Sequence, residues 1–259
     1  MKELNGRQLV GFIKAGQARR SRSLRDAGVQ PKLVIFYDND SPVIAKYMEK
    51  KQYYGEDLAI DVEIVRLNKA NAEESLKKAA TDKSVHGIVV QLPLTELDEK
   101  ILDLIPVEKD VDGLRGKSDT ATAMAIHWLL NGYNVDLAGA KIAIVGHGRL
   151  VGAPLLKMWQ ASGYDVRCFD KGDDLAELKN FDIVVTATGV PGLIKSAMLK
   201  RGAVVVDAGT ASEDGKIHGD LDDGVREERD DLTLTPRIGG VGPLTVAMLY
   251  EKLLRACEA

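Results

Sequence analysis

The sequence predicts an α/β protein with two domains, each built on a parallel β-sheet. Short apolar segments rich in valine and isoleucine alternate with longer amphipathic segments, which is the pattern of β-α-β units. Two such series follow one another, and a polar stretch from Arg115 to Asp119 separates them. A chain of 259 residues with 45% hydrophobic residues can bury one large core or two modest ones, so both series can fold as domains.

The first series contains three predicted strands, at residues 33–37, 62–67 and 87–92. They are rich in β-branched and aliphatic residues and have strand length, as expected for a buried parallel sheet. Amphipathic segments at residues 8–25, 43–54 and 73–80 are predicted to be the helices that cover this sheet.

The second series contains four predicted strands, at residues 141–145, 165–169, 182–186 and 204–207. Helices are predicted at residues 122–131 and 151–162. A final helix, at about residues 243–257, has no strand after it, so the pattern allows it to pack on either domain.

Composition and charge exclude several classes of function. The formal net charge of -4 argues against a nucleic-acid-binding protein and against binding to acidic membrane surfaces. The longest apolar runs have strand length, far below the roughly 20 residues that cross a membrane, so a cytoplasmic protein is expected. Cys168 and Cys257 lie far apart and the four histidines have no ligand spacing, so neither a disulfide framework nor a metal site is predicted.

A glycine-rich turn follows the first strand of the second series and begins a helix. Glycines in this context let the backbone approach a pyrophosphate at the helix N-terminus, so the turn predicts a dinucleotide site and a Rossmann-type domain. Its spacing, Gly-x-Gly-x-x-x-Gly, is one residue longer than the commonest form, and a glycine turn without a ligand is the alternative. The predicted contacts are Gly146, His147, Gly148, Arg149, Val151 and Gly152.

Asp170 follows the next predicted strand, 24 residues after Gly146. An acidic residue about 20 residues after the first glycine accepts hydrogen bonds from the ribose hydroxyls of NAD, and its charge would repel the 2′-phosphate of NADP. We therefore predict NAD as the cofactor. NADP stays possible because Arg149 and Lys171 could neutralise a phosphate.

Two further strands of the second series also end in glycine turns. Thr188 and Gly189 follow the strand at residues 182–186, and Gly209 follows the strand at residues 204–207. Ligands of parallel sheets bind beyond the carboxyl ends of the strands, so these residues are predicted to contact the nicotinamide half of the cofactor.

Four polar side chains of the first series are candidates for chemistry. Gln91 and Asp112 each end an apolar run, in the kind of position where ligands of parallel sheets bind. Tyr47 and Lys51 are four residues apart, so a helix would place them on one face. Taken alone, a tyrosine and a lysine at this spacing are usually surface residues. A further glycine-rich segment, residues 239–245, stands at the start of the last helix.

Together these motifs resemble the bifunctional methylenetetrahydrofolate dehydrogenase/methenyltetrahydrofolate cyclohydrolase family. The resemblance runs from about residue 4 to residue 254 and rests on Tyr47-Met48-Glu49-Lys50-Lys51, Gln91-Leu92-Pro93-Leu94, Lys109-Asp110-Val111-Asp112-Gly113 and Gly239-Gly240-Val241-Gly242-Pro243-Leu244-Thr245. It implies that the last helix returns to the first domain. A folate-binding catalytic domain would then comprise residues 1–118 plus 242–259, and a Rossmann-type domain residues 119–241. The resemblance also implies a homodimer formed through the cofactor domain.

The resemblance implies an activity and roles for the polar residues. The enzyme would oxidise 5,10-methylenetetrahydrofolate with NAD(P) and hydrolyse the methenyl product to 10-formyltetrahydrofolate. Lys51 would be the cyclohydrolase catalyst and Gln91 would assist it. The implied substrate contacts are Tyr47 on the folate ring system, Asp112 on the pterin, and Gly239, Gly240 and Pro243 along the substrate site.

The chemistry of the two steps suits these residue types. Hydride transfer leaves a cation shared by two nitrogens, so this step needs alignment of donor and acceptor carbons more than a base. Hydrolysis needs a base that takes a proton from water, and a partly desolvated lysine beside the cation has a lowered pKa. A carboxylate can accept both the amino and the ring N–H groups on one edge of a pterin.

Three departures from the family pattern leave alternatives open. The segment between Gly113 and the next helix is shorter than is usual in the family, and Ala123 and Ile238 stand where prolines are usual. A dehydrogenase that has lost cyclohydrolase activity through the shorter loop is the first alternative. A non-catalytic NAD-binding regulator on the same fold is the second. A two-domain dehydrogenase of shikimate type is the third, but it would not explain the elements at residues 91–94 and 239–245.

Overall fold

A computed structural model describes residues 2–213 and 216–259, and the chain divides into two compact units. The first unit comprises Gly11–Ala121 and Val246–Ala259. The second unit comprises Thr122–Thr245 and the N-terminal segment up to Val10. Both units have parallel strands with helices between them, so the predicted α/β class with two domains is confirmed.

Strands and helices are numbered here in chain order. The strands are β1 (Lys2–Glu3), β2 (Lys32–Tyr37), β3 (Asp61–Arg66), β4 (Gly87–Val90), β5 (Lys141–Val145), β6 (Asp165–Phe169), β7 (Ile183–Thr186), β8 (Val204–Asp207), β9 (Ala211–Glu213), β10 (Lys216–His218) and β11 (Thr233–Leu234). The α-helices are α1 (Gly6–Asp26), α2 (Pro42–Asp57), α3 (Ala72–Thr81), α4 (Ala121–Gly132), α5 (Gly152–Ala161), α6 (Asp223–Glu228) and α7 (Val241–Glu258). Short 3-10 helices lie at Glu99–Leu104, Val107–Lys109, Leu175–Asn180 and Ser196–Met198. Strands β5, β6 and β8 begin and end at the predicted residues.

The first unit is built on a three-stranded parallel sheet in the order β3-β2-β4. Strands β2 and β4 are apolar and buried, with Val34, Phe36, Ile88 and Val90 in one core cluster. Phe36 pairs with Val90, and the Phe36 carbonyl accepts a hydrogen bond of 2.7 Å from the backbone N–H of Gln91. Gln91 therefore stands just beyond the carboxyl end of β4, because this strand ends two residues before the predicted end at residue 92.

Helix α2 begins at a well-defined point. Ser41 is its N-cap, and the Ser41 hydroxyl accepts a hydrogen bond of 3.3 Å from the N–H of Val43. Pro42 occupies the first turn, where a missing N–H removes no helical hydrogen bond. The start of the helix is thus fixed two turns before Lys51.

Helix α7 returns to the first unit through its C-terminal part, as the family resemblance implied. Tyr250 of α7 stacks on Tyr54 of α2 with ring centroids 5.2 Å apart, and its hydroxyl donates a 2.7 Å hydrogen bond to the backbone carbonyl of Lys51. Gly55 leaves room for this ring, since a Cβ at residue 55 would lie 2.5 Å from the Tyr250 hydroxyl oxygen. Helix α7 therefore fixes the part of α2 that carries Lys51.

The second unit is built on a six-stranded parallel sheet in the order β1-β11-β8-β7-β5-β6. The strand order reverses at β5, which has β6 on one side and β7 on the other. In open α/β sheets the carboxyl end of a strand at such a switch point is where dinucleotides bind. Strands β9 and β10 form a separate antiparallel pair.

Strands β1 and β11 were not predicted. Lys2 pairs with Thr233 and Glu3 with Leu234, so the N-terminal segment adds an edge strand to the sheet of the second unit. A two-residue strand paired across most of the chain leaves no local pattern to detect. The predicted functional domains are residues 1–118 plus 242–259 and residues 119–241. They differ from the compact units at residues 1–10, 119–121 and 242–245, and they stay a prediction.

Among the helices of residues 2–213 and 216–259, none combines the length and the apolar character that crossing a membrane requires.

Candidate active site

Lys51, Gln91 and Asp112 form one polar cluster in the first unit. Lys51 Nζ donates a hydrogen bond of 2.9 Å to Gln91 Oε1 and lies 3.9 Å from Asp112 Oδ2. Gln91 Nε2 donates to the carbonyl of Leu92 at 3.0 Å, which turns the amide oxygen toward the lysine. The side chain of Lys51 is 10% exposed and that of Asp112 is 20% exposed, so the cluster is largely withdrawn from water.

Burial changes the proton affinity of Lys51. It lowers the pKa of the Lys51 ammonium, while the carboxylate of Asp112 opposes this by raising the same pKa. The amide oxygen of Gln91 can accept a hydrogen bond from the charged or the neutral amine. The cluster therefore holds a lysine that is oriented in both protonation states and releases its proton more readily than a free lysine.

Asp110 shapes the turn that presents Asp112. It is buried, and its carboxylate accepts hydrogen bonds of 2.9 to 3.0 Å from the backbone N–H groups of residues 113–115. Gly113 has a φ of +77°, and a Cβ there would lie 2.7 Å from the carbonyl oxygen of Asp119. The turn therefore requires glycine at this position.

Asp38 holds the backbone of the segment after Gln91, as Asp110 holds the backbone after Asp112. It is buried beyond the end of β2, and its carboxylate accepts hydrogen bonds of 2.8 to 3.0 Å from the backbone N–H groups of Thr95, Glu96 and Leu97. These contacts fold the segment over the carboxyl ends of the strands. This role of Asp38 was not predicted from the sequence.

Tyr47 is half-buried on α2, one turn before Lys51. Burial raises the pKa of its phenol, so the hydroxyl stays protonated at neutral pH. The ammonium of Lys50 lies 5.7 Å from the centroid of the Tyr47 ring. Tyr47 thus offers a partly covered aromatic ring on the helix that carries Lys51.

The predicted glycine turn joins β5 to α5 in the second unit. Gly146 has a φ of +96°, and a Cβ there would lie 2.8 Å from the carbonyl oxygen of Ala187. A Cβ at Gly152 would lie 1.8 Å from the Gly146 carbonyl oxygen. At Gly148 the position of a Cβ has no described atom within 4 Å, and the N–H of the half-buried Val151 closes the turn on the Gly148 carbonyl at 3.3 Å. Folding therefore requires two of the glycines, and the third leaves open space beside a helix N-terminus.

Asp170 is exposed beyond the carboxyl end of β6. Its Oδ1 accepts a hydrogen bond of 2.9 Å from the N–H of Lys171, and its own N–H donates to Asp173 Oδ2 at 2.7 Å. Two carboxylates therefore stand at the end of the strand that pairs with β5. His147 and Arg149 are exposed on the glycine turn that follows β5.

A buried carboxylate that the sequence analysis missed lies behind the turns after β7 and β8. Asp220 accepts hydrogen bonds from the Thr186 hydroxyl at 2.5 Å and from the Thr188 N–H at 2.7 Å. Its Oδ1 has no hydrogen-bond partner among the described residues, and a Cβ at Gly209 would lie 2.0 Å from this atom. Asp220 thus links the two turns that the sequence assigned to the nicotinamide.

Asp207, the last residue of β8, completes this link. Its Oδ1 accepts the N–H groups of Gly209 at 3.1 Å and of Asp220 at 3.0 Å. Burial raises the pKa of the Asp207 carboxyl, and these N–H groups belong to a backbone that the carboxylate holds in place. Gly189, on the turn after β7, has a φ of +69°, which favours glycine.

The glycine-rich segment before α7 packs against the start of α1. Gly239 has a φ of +98°, and its carbonyl accepts a hydrogen bond of 3.2 Å from the N–H of Arg7. A Cβ at Gly6 would lie 1.9 Å from the carbonyl oxygen of Gly240. Pro243 stands in the first turn of α7, where proline fits a helix. The local packing of the second unit accounts for these residue types.

Two kinds of chemistry are available from these parts. The first unit holds a buried lysine that can exchange a proton, and the second holds a glycine turn suited to a dinucleotide. Among residues 2–213 and 216–259, no group of three or more His, Cys, Asp or Glu side chains could hold a metal ion.

Comparison with known proteins decides the family. The description "Tetrahydrofolate dehydrogenase/cyclohydrolase, catalytic domain" matches residues 4–112, and the NAD(P)-binding domain of the same family matches residues 120–259. The chain belongs to the tetrahydrofolate dehydrogenase/cyclohydrolase family. The resemblance found from the sequence motifs is confirmed, and the NAD(P)-binding match covers Thr122–Thr245 of the second unit.

Individual relatives match along the whole length of the chain. The bifunctional protein FolD of Staphylococcus aureus is 34% identical over 98% of this chain and 96% of its own. The structure of the bifunctional FolD methylenetetrahydrofolate dehydrogenase/cyclohydrolase of Campylobacter jejuni is similar with a TM-score of 0.91 and 30% identity, covering 100% of this chain and 99% of the other. The FolD of Trypanosoma brucei, complexed with NADP cofactor and an inhibitor, is similar with a TM-score of 0.89 and 26% identity, covering 98% and 96%.

The two family matches leave residues 113–119 between them. Most of this stretch belongs to the segment between Gly113 and α4, which the sequence motifs indicated is short for a tetrahydrofolate dehydrogenase/cyclohydrolase. It follows Asp112 directly and leads into α4. Residues 113–119 are therefore next to one of the candidate substrate contacts.

Proposed function

We propose that this protein oxidises 5,10-methylenetetrahydrofolate with NAD(P) and hydrolyses the product to 10-formyltetrahydrofolate. The observation that carries the proposal is the buried Lys51, held by Gln91 at 2.9 Å beside Asp112 at 3.9 Å. A protein that only bound a dinucleotide would have no use for this lysine. Membership of the family supports both activities.

In the first step, the chain binds and orients the folate. The Asp112 carboxylate accepts hydrogen bonds from the amino and ring N–H groups of the pterin, and the Tyr47 ring packs against the folate ring system. When bound, the nicotinamide supplies the acceptor for the hydride that leaves the methylene carbon. The product cation is shared by two folate nitrogens, and no protein base is needed for this step.

The cofactor contacts belong to the second unit. The open space at Gly148 beside the N-terminus of α5 suits a pyrophosphate. Asp170 would accept hydrogen bonds from the ribose hydroxyls. The turns that carry Thr188, Gly189 and Gly209 would contact the nicotinamide end of the cofactor. The predicted cofactor contacts on the first turn are Gly146, His147, Gly148, Arg149, Val151 and Gly152.

In the second step, Lys51 acts as the base. The oxygen of a water molecule bonds to the methenyl carbon, and Lys51 takes the proton that the water loses. The bond from this carbon to N5 then breaks as N5 gains a proton and the new hydroxyl group loses its own, so the carbon becomes a formyl group that remains on N10. Gln91 holds the lysine nitrogen in place throughout. Gly239, Gly240 and Pro243 are proposed to line the substrate site.

One assay tests the proposed activity and separates its alternatives. The purified protein is mixed with 5,10-methylenetetrahydrofolate and either NAD or NADP, and reduced nicotinamide, methenyl compound and 10-formyltetrahydrofolate are measured. We expect reduced nicotinamide and 10-formyltetrahydrofolate. Accumulation of the methenyl compound alone would indicate a dehydrogenase without cyclohydrolase activity. Cofactor binding without any reduction would indicate the non-catalytic regulator and contradict the proposal.

We predict that replacing Asp170 with serine shifts the cofactor preference from NAD toward NADP. The substitution removes a charge-assisted hydrogen bond to the ribose and a charge that opposes a 2′-phosphate. The ratio of kcat/KM for NAD to that for NADP should therefore fall about tenfold or more. Asp173 stays in place, so NADP activity should improve further in a variant that also carries Asp173→Asn.

The control for this prediction is Asp165→Asn, which removes an exposed carboxylate at the opposite end of β6. This control should leave the cofactor ratio unchanged. Equal ratios in Asp170→Ser and the wild type would show that Asp170 does not contact the ribose.

A homodimer and a cytoplasmic location also stay proposals. The homodimer rests on the family resemblance, and sedimentation of the purified protein would test it. The location rests on the composition.

A further inference from the structure

Lys252 is a lysine on α7 that neither the sequence motifs nor the proposed mechanism uses. Its Nζ donates hydrogen bonds to the Ser118 hydroxyl at 3.1 Å and to the Asp119 carbonyl at 2.7 Å. Both partners belong to residues 113–119, the stretch between the two family matches. Lys252 therefore ties the short segment after Asp112 to the last helix, within the first unit.

The end of the short segment packs against the turn that carries Asp112. The Asp119 carbonyl that accepts from Lys252 is the group over Gly113, where a Cβ would lie 2.7 Å from its oxygen. The Asp112 carbonyl accepts the Ala121 N–H at 3.4 Å, so the segment returns to its own starting point. A change in the position of Asp119 would therefore move the backbone on both sides of Asp112.

Electrostatic interactions also connect Lys252 with the turn that carries Asp112. It is half-buried, and burial lowers the pKa of its ammonium, whereas the carboxylates of Asp110, Asp112 and Asp119 raise it. Asp112 also has Lys51 Nζ at 3.9 Å. The Asp112 carboxylate thus interacts electrostatically with two lysines, Lys51 on α2 and Lys252 on α7.

We infer that Lys252 is a positioning residue for folate binding, which holds the short segment against α7 and so fixes the Asp112 carboxylate toward the pterin. This inference rests on the proposed function, because it assigns Asp112 to the pterin. Lys252 acts through the segment and through Asp112, and it takes no part in proton transfer.

The test is the variant Lys252→Met, which keeps the length of the side chain and removes the donors and the charge. We expect the Kd for tetrahydrofolate, measured by titration calorimetry, and the KM for 5,10-methylenetetrahydrofolate to rise about tenfold. The KM for NAD and the kcat at saturating folate should change less than about twofold. Lys252→Arg keeps the charge and the donors and should restore most of the folate affinity.

Arg255→Met is the matched control, since it removes an exposed cation one turn further along α7. It should leave the folate parameters unchanged. Unchanged folate affinity in Lys252→Met would overturn the inference. So would a loss shared equally by folate KM, NAD KM and kcat, because that pattern would mean general damage to the fold. If the wild type itself neither binds tetrahydrofolate nor oxidises the methylene compound, the proposed function fails instead.

Discussion

Replacing Lys51 with methionine is expected to abolish the hydrolysis of 5,10-methenyltetrahydrofolate while hydride transfer continues. Methionine fills the buried site without a proton acceptor, and general-base catalysis contributes about 10² to 10⁴ in rate. Oxidation of the methylene compound needs no base, so its kcat should fall far less. The measurement is the rate of each half-reaction with its own substrate supplied, and methenyl compound should accumulate when both steps run together.

The control for Lys51→Met is Lys46→Met, an exposed lysine on the same helix. It should leave both half-reactions unchanged. If Lys51→Met hydrolyses the methenyl compound at the wild-type rate, Lys51 is not the base and the proposed second step is wrong.

Replacing Asp112 with asparagine is expected to weaken folate binding in both half-reactions. The amide offers one acceptor oxygen in place of two and turns a donor toward the N–H groups of the pterin. Hydrogen bonds to a charged group contribute about 1.5 to 3 kcal/mol, so the KM for both folate substrates should rise about tenfold to a hundredfold. The KM for NAD should not change, because the proposed cofactor contacts lie in the second unit.

The same variant should also change the pH dependence of the hydrolysis rate. The Asp112 carboxylate raises the pKa of Lys51, so removing its charge should lower that pKa further. Hydrolysis requires the neutral amine, which means that its rate falls as the pH falls through the pKa of Lys51. The midpoint of that fall should therefore move to lower pH in Asp112→Asn. Asp103→Asn, an exposed carboxylate on the Glu99–Leu104 helix, is the control. A midpoint at the same or a higher pH would show that the charge of Asp112 does not raise the pKa of the lysine that limits hydrolysis.

The regular elements could be predicted from sequence because their causes are local. Strand β5 has an apolar run of strand length and begins and ends at the predicted residues, and α2 begins one residue before its predicted start. The pairing of Lys51 with Gln91 was implied by the family resemblance, and the topology of the first unit accounts for it. One residue lies on a helix after a strand, the other lies beyond the end of the neighbouring strand, and both strands have their carboxyl ends at one edge of the sheet.

The positioning residues could not be predicted because their partners are distant in sequence. Asp220 bonds to Thr186 and Thr188, and Lys252 bonds to residues more than a hundred positions earlier. Nothing in the local sequence around either residue differs from an ordinary surface charge. The return of α7 to the first unit followed from the family resemblance alone, since the α/β pattern fits both units.

The most direct test of this account is the hydrolysis of supplied 5,10-methenyltetrahydrofolate by the wild-type protein without any nicotinamide cofactor. This measurement isolates the step that depends on Lys51 and on the short segment after Gly113. We predict that the wild type hydrolyses this compound well above the rate in buffer and that Lys51→Met returns the rate to that of buffer. Wild-type hydrolysis at the buffer rate, in protein that still oxidises the methylene compound, would contradict the account and leave a dehydrogenase alone.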